Sequence, residues 1–240
     1  ALTSLVFYSP AVNATLSGNS VLEGVDVSAL ADLQTLDVQK CKLQSLDVTK
    51  NLALTSLICN NNELTTLDVS NNTSLVKLYC NDNKLPKIIV TANTALQEFD
   101  VANNLLSALN IRNNTALTYL CVSNNAELSM VDVKYNTALK ELYCNSTAIG
   151  ELNISNNTAL TNLECHTNPN LTTLTCNDAF DFTTTHISIN KGLGILNTNG
   201  NVLTPEIGDV VTVNRGQGVD VDGVVEGIRI GDPPSEADFL

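Results

Sequence analysis

The sequence predicts a mostly-β solenoid of about eight stacked coils of 21 residues each, with little or no helix and a small β-rich cap at the C-terminal end. Three observations carry that reading. An apolar triplet recurs at steps that alternate between 10 and 11 residues for most of the chain. An asparagine returns at a fixed place after nearly every triplet. The apolar content is nearly free of large rings, with 43% hydrophobic but only 4% aromatic residues, no Trp and one Met. One globular core of this size would use more large side chains, whereas thin repeated layers of Leu, Val, Ile and Cys do not need them.

The triplet reads Leu-x-x-Leu-x-Val/Cys. Its first residues are Leu22, Leu33, Leu43, Leu54, Leu64, Leu75, Leu85, Leu96, Leu106, Leu117, Leu128, Leu139, Ile149, Leu160 and Leu171. Two successive halves make one period. The first runs Leu54-x-x-Leu57-x-Cys59-x-x-Asn62, the second Leu64-x-x-Leu67-Asp68-Val69-Ser70-x-Asn72, with one extra residue in the second. Single residues are also added at Asn125-Ala126-Glu127 and at Asn168-Pro169-Asn170, where a surface turn absorbs them. The pattern Leu-x-x-Leu-x-Leu/Cys-x-x-Asn-x-Leu resembles the leucine-rich-repeat signature. Its continuation into Leu-x-x-Leu-Asp-Val is similar to the 21-residue nested-period class of bacterial leucine-rich repeats, the IRREKO type. The resemblance covers about residues 22–179 and implies a solenoid fold, but no single activity.

Each residue type has a reason to stand where it does. Counting from the first Leu of a half, apolar residues sit at offsets 0, 3 and 5, and the last two have the period of 2 of a strand. Each half has only about ten residues, and Asn-Asn or Asn-Thr interrupts many of them before a helix could complete its turns. The first half therefore reads as a short parallel strand and the second as an extended segment, either strand or polyproline-like. Stacking places like residues about 4.8 Å apart, and no coil buries its Leu face alone. The offset-8 asparagines form a structural ladder: Asn62, Asn83, Asn104, Asn125 and Asn168 in first halves, and Asn51, Asn72, Asn93, Asn114, Asn136 and Asn157 in second halves. An amide side chain carries the donors and acceptor that a buried turn needs. Cys41 and Thr147 replace Asn at two places.

Of seven cysteines, Cys59, Cys80, Cys144 and Cys165 share offset 5 of first halves with Val38, Val101 and Val122, so they read as small buried apolar residues, and so does Cys176 in a second half. The odd total opposes a full disulfide framework, and no Cys-x-x-Cys exists for a metal. Cys121 sits at offset 4, points outward and is the thiol best placed to react.

The strands should show offsets 2 and 4 to solvent on a concave face. The candidate ligand-binding residues there are Ile58, Lys77, Tyr79, Glu98, Asp100, Tyr119, Glu141, Tyr143 and Glu164. Tyr79, Tyr119 and Tyr143 are three of five tyrosines, and exposed rings on one strand face serve either as ligand anchors or as cover for neighbouring side chains. The second halves carry Asp26, Asp47, Asp68, Ile89, Asn110, Asp132 and Asn153 at offset 4. A calcium ladder there is disfavoured by the break at Ile89, and bonds to nearby Ser, Thr or backbone amides fit better.

Net charge is -13, which speaks against nucleic acid and anionic membranes as partners. No apolar run reaches the ~18 residues of a membrane-spanning helix. No catalytic pair, phosphate loop or metal motif appears, and His166 and His186 lie apart, so no enzyme activity, cofactor or metal is expected. Ala1–Leu5 repeats Ala53–Leu57 letter for letter, and the expectation is a processed or trimmed chain, for which the lack of a visible export signal decides nothing. The boundaries expected are an N-terminal partial coil over 1–21, the solenoid over 22–179, and a cap or small module with a flexible tail over 180–240. Phe180 and Phe182 would plug the last coil, with strands near 187–189 and 210–213. The leading function is a non-enzymatic binding module, monomeric, on or outside a bacterial cell, with a protein or glycan on the concave sheet. The rival is a structural spacer that holds a neighbouring domain and has no ligand of its own.

Overall fold

A computed structural model describes residues 3–7, 11–176, 186–189, 195–198, 201–203 and 228–230. The short apolar triplets become short strands: β1 (Ser4–Val6), β2 (Asn13–Thr15), β3 (Gly24–Asp26), β4 (Thr35–Asp37), β5 (Ser56–Ile58), β6 (Lys77–Tyr79), β7 (Glu98–Asp100), β8 (Tyr119–Cys121), β9 (Glu141–Tyr143), β10 (Glu151–Asn153), β11 (Asn162–Glu164), β12 (Thr173–Cys176), β13 (His186–Ile189), β14 (Ile195–Thr198), β15 (Asn201–Leu203) and β16 (Ile228–Ile230). They wind into a parallel β-solenoid of about eight turns, with no helix among the described residues.

First-half strands form one parallel sheet of ten, in the order β16-β13-β11-β9-β8-β7-β6-β5-β4-β2. Register is strict: Leu36 faces Leu57, then Leu78, Phe99, Leu120, Leu142 and Leu163 in turn. The residue added near Asn125 lies in the turn, so Tyr119 still pairs with Glu141. The ladder runs on past each strand, with Cys59 N–H donating to Tyr79 O at 2.8 Å and Cys80 N–H to Asp100 O at 2.9 Å. The second wall is paired at its ends only. There β1 lies on β3, and β10, β12, β14 and β15 form a four-stranded sheet closed by the antiparallel β14–β15 pair. Between them a single bridge joins Asp47 to Asp68, so most middle second halves are extended without being strands.

The N-terminal stretch is more regular than its composition. β2 stands in register with β4, and Ala14 fills the place that Leu holds in later coils. At the other end, β13 and β16 prolong the ten-stranded sheet, while β14 and β15 prolong the second wall. Phe180, Phe182, residues 210–213 and the expected tail lie outside the described residues.

The core lies between the walls and consists of the triplets. The central residues Leu36, Leu57, Leu78, Phe99, Leu120, Leu142 and Leu163 are wholly buried, and so are Cys59, Cys80, Cys144 and Cys165. Burying one such aliphatic side chain contributes about 1.5–3 kcal/mol. Burial raises the Cys59 thiol to about 12, and a hydrogen bond with Cys165, together with burial, raises Cys144. These thiols stay protonated and pack as small apolar groups.

Two asparagine ladders hold the turns. In the first-half ladder each Asn spans two coils. Asn104 Nδ2 donates to Cys80 O of the preceding coil at 3.0 Å and to Val101 O of its own at 3.1 Å. Its Oδ1 accepts from Leu85 N–H at 2.9 Å. Asn62, Asn83 and Asn125 repeat the same three partners. Asn168 does so with Thr147 as the donor to its Oδ1, and Thr147 Oγ1 donates to it as well. Cys41, at an Asn position, offers its thiol to Leu16 O at 3.4 Å. The residue before each ladder position has positive φ: Lys40, Asn61, Asp82, Asn103, Asn124, Ser146 and Thr167, at 51–58°. That left-handed conformation suits Asn and Asp better than other non-glycine residues, and it turns the chain sharply enough for the next side chain to point inward.

The second-half ladder is bonded less completely. Asn72 Nδ2 donates to Val48 O and Asn51 O, and Asn93, Asn114, Asn136 and Asn157 follow the same rule. The Oδ1 atoms of Asn51, Asn72, Asn93, Asn114, Asn136 and Asn157 have no hydrogen-bond partner among the described residues. The reason is local. The amide of the preceding coil that would fill Asn72 Oδ1, Leu54 N–H, already donates to the Asn51 backbone carbonyl at 3.2 Å. The two ladders should therefore differ in strength. Asn104→Ala strands the buried Leu85 N–H and takes one of two donors from Cys80 O and Val101 O, and should destabilise by about 2–4 kcal/mol. Asn114→Ala leaves no group unpaired, since Val90 O and Asn93 O keep Asn93 N–H and Leu96 N–H, and should lower stability by about 1–2 kcal/mol. Urea denaturation of the two variants checks the order.

Candidate functional site

The alternation that buries the central Leu of each strand turns its two flanking residues outward, onto the open face of the ten-stranded sheet. Ile58, Lys77, Tyr79, Glu98, Asp100, Tyr119, Glu141, Tyr143 and Glu164 all stand there, half-buried. The structure joins eight of them, from Lys77 to Glu164, into one neighbourhood. Ile58 lies on the same face beside Tyr79 in register, but it takes part in none of the polar contacts below.

Three tyrosines form its centre. Tyr79 and Tyr119 come from strands two coils apart, yet their ring centroids are 6.3 Å apart, and Tyr143 lies 5.5 Å from Tyr119, both pairs tilted. Tilted contacts at such distances suit the ring quadrupoles. Polar groups fix the ends of the row. Tyr79 Oη–H donates to Glu98 Oε2 at 2.5 Å. Lys77 Nζ reaches the same oxygen at 2.7 Å and sits 4.9 Å over the Tyr79 ring. Tyr143 Oη–H donates to Glu141 Oε2 at 2.9 Å, and its oxygen accepts from Asn162 Nδ2 at 2.6 Å.

The electrostatics follow from this packing. Burial opposes ionisation of Glu98, but its bonds to Lys77 and Tyr79 outweigh that and hold its carboxyl below the usual range. Burial raises all three phenols, helped at Tyr79 by Glu98 and at Tyr143 by Glu141, with Tyr143 reaching about 12. Asp100 is raised chiefly by burial, against the pull of Ala102 N–H on its Oδ1 at 3.0 Å.

Cys121 lies on this face, as its offset implies, but not as an activated thiol. Burial first and the Asp100 carboxylate second raise it to about 11, with Asp100 and Tyr143 beside it in register. A reactive cysteine needs the opposite surroundings, cationic and wet. Other contributors were not singled out from the sequence. Asn145 Nδ2 donates to Glu164 Oε2 at 3.0 Å, and its Oδ1 accepts from His166 N–H. His166 Nε2 lies 4.0 Å from Glu164, and Asn162 holds Tyr143. All occupy outward offsets of neighbouring coils, which was the signal available.

The opposite wall differs in character. Asp26, Asp47, Asp68, Asn110, Asp132 and Asn153 each accept the amide two residues on, at 2.8–3.2 Å. Bonds from the Ser28, Thr49 and Ser70 side chains and amides hold Asp26, Asp47 and Asp68 below their ordinary pKa. No group of three or more His, Cys, Asp or Glu is arranged to hold a metal among the described residues. A groove of about 640 Å³ opens on this wall, lined by Leu46, Leu67, Ile88 and Ile89 with Asp47 and Asp68. It lies where the second halves are joined only by the Asp47–Asp68 bridge.

Neither a protein-family model nor a curated protein matches the sequence. Solved structures do. The functional domain of InlJ from Listeria monocytogenes, which includes a cysteine ladder, aligns with TM-score 0.59 at 25% identity, over 84% of this chain and 55% of that one. A leucine-rich-repeat protein of Leptospira interrogans aligns with TM-score 0.62 at 24% identity, over 65% of this chain and 43% of that one. The fold is the leucine-rich-repeat solenoid. The leucine-rich-repeat ectodomain of the plant membrane receptor kinase GASSHO1/SCHENGEN3 from Arabidopsis thaliana, in complex with Casparian strip integrity factor 2, has TM-score 0.53 at 19% identity, over 78% of this chain and 26% of that one. The present leucine-rich-repeat chain thus spans about half the length of the two bacterial structures and about a quarter of the plant one.

Two outcomes test the site's electrostatics. Two pH units between an ordinary thiol at 9.0 and about 11 mean about a hundredfold less thiolate. Maleimide labelling of Cys121 near pH 7 should be slowed accordingly, and Asp100→Asn, which removes the neighbouring carboxylate, should speed it. Asp100 is an acid whose native pKa is raised. Its ionised form opposes folding above that value, and the penalty is absent below the ordinary 3.8. Asp100→Asn, which keeps an acceptor for Ala102 N–H, should therefore raise stability at pH 7 and flatten its pH dependence just above pH 4. Denaturation midpoints against pH measure this.

Proposed function

We propose that this chain is a non-enzymatic binding module that recognises a protein on the open face of the ten-stranded sheet, with Tyr79, Tyr119 and Tyr143 at the centre. The observation that carries the reading is that three of the chain's five tyrosines meet, half-buried, on the one face whose strand ladder is continuous. Rings with polar tips, already ordered by Glu98, Glu141 and Asn162, offer contact area with little side-chain freedom left to lose. The leucine-rich-repeat fold of its neighbours supports a protein-binding role, and the absence of a converging catalytic pair among the described residues supports no enzymatic one. The nested 21-residue subclass and a location on or outside a bacterial cell belong to the same proposal. They rest on the repeat pattern and on the bacterial sources of two similar structures.

The test is a comparison of wild type with the triple variant Tyr79→Ala, Tyr119→Ala, Tyr143→Ala, in affinity capture from cell-surface extracts and on a glycan array. Protein capture by the wild type and its loss by the triple variant are expected. Glycan binding alone would replace the protein, and unchanged capture would remove the sheet face. No capture by either would leave the structural spacer standing.

A further inference from the structure

We propose that the occupant of this face is a cationic, arginine-bearing extended segment of a partner protein, seated at Tyr119, Tyr143, Glu141 and Glu164. The inference rests on the sheet-face reading above and names its partner's chemistry.

The argument is one of unmatched valences. Tyr79 and Tyr143 spend their hydroxyl protons on Glu98 and Glu141, and the amides of Asn162 and Asn145 donate to Tyr143 Oη and Glu164. Those four donors are thus turned onto the face itself. Beside the Tyr119 hydroxyl, what they leave for a visitor is acceptors and ring faces: the carboxylates of Glu141 and Glu164, and the π-surfaces of Tyr119 and Tyr143. Asn162 Oδ1 also has no hydrogen-bond partner among the described residues. A guanidinium is the complementary group, with five donors, no acceptor and a plane that stacks on tyrosine.

Charge agrees. From β4 to β11 the two outward columns hold Asp37, Glu98, Asp100, Glu141 and Glu164 against Lys77. Lys77 is engaged with Glu98, so neutralisation is concentrated at one end, and Glu141 and Glu164 lie at the other. His166, 4.0 Å from Glu164, is the nearby titratable base. A net charge of -13 steers a basic partner toward the chain. The face also makes this kind of contact once within itself, Lys77 lying over the Tyr79 ring with its ammonium on Glu98. Glu141 and Tyr143 repeat the carboxylate–phenol pair without a cation of their own in either column.

The experiment measures binding of a fluorescent hexa-arginine peptide to the full chain, with hexa-glutamate as the charge-reversed probe. Three variants are compared: Tyr119→Ala with Tyr143→Ala, Glu141→Gln with Glu164→Gln, and Asp47→Asn with Asp68→Asn. The last removes the same charge from the opposite wall. The expected result is binding of hexa-arginine only, weakened about tenfold by each sheet-face pair and less than about twofold by the opposite-wall pair. The glutamine pair is isosteric, so it reads recognition without the loss of packing that the alanine pair brings. Equal loss from both walls means general attraction to an acidic chain and overturns the proposal, as does hexa-arginine binding that the glutamine pair leaves unchanged. If hexa-arginine fails to bind while a captured protein or glycan is lost with the tyrosines, this inference falls and the sheet-face reading stands. If nothing bound depends on the tyrosines, both fall.

Discussion

The structure depends on one constraint: each coil must turn twice within 21 or 22 residues, and the buried backbone of those turns has to be paired. The first-half asparagines meet it by reaching across the stack, each taking carbonyls from its own coil and the one before and an amide from the one before. A side chain that bonds two coils also fixes their register. Strand pairing, superposed leucines and columns of like residues on the surface all follow from that lock. The positive-φ residue ahead of each ladder position belongs to the same device, since it aims the amide inward.

Because the coils are locked in register, the surface is a grid, and function on such a grid is a matter of which substitutions fall side by side. The open sheet face gathers rings and carboxylates between β6 and β11. The opposite wall carries aspartates whose carboxylates are occupied by their own turns, and it opens an apolar groove at Leu46, Leu67 and Ile88. The two faces therefore differ in how much of their polar chemistry is left over. On the aspartate wall local amides absorb it. On the sheet face the donors have been turned inward and acceptors remain.

The residues differ in how far they could be read without coordinates. The triplets, the extended first halves and the coil number follow from spacing, because every coil meets nearly the same surroundings and one rule serves all. The outward position of Tyr79, Tyr119 and Tyr143 follows from the period of a strand. Their contacts do not. Tyr79 and Tyr119 stand on different offsets two coils apart, and nothing in the spacing records that their ring centroids come within 6.3 Å. For Cys121 the alternation gives the side of the sheet, and it is the one cysteine of the seven that is not buried, but the rise of its thiol to about 11 depends on neighbouring coils that the pattern does not record. Ala14 illustrates the same limit at the edge of the repeat, where a small residue keeps its register through its neighbours rather than its own pattern.

Spacing along the chain is enough to fix the period, and with it the solenoid, the buried leucine and cysteine columns, and which residues share a face. These depend on backbone repeat and side-chain alternation, which are local and recur. The tertiary structure alone decided how the second wall pairs, which ladder asparagines find a partner for Oδ1, where the phenol hydrogens point, and which thiol and carboxylate lose their water. Each of these depends on side-chain directions and on groups one or two coils away, and a linear pattern of residue types carries no record of either.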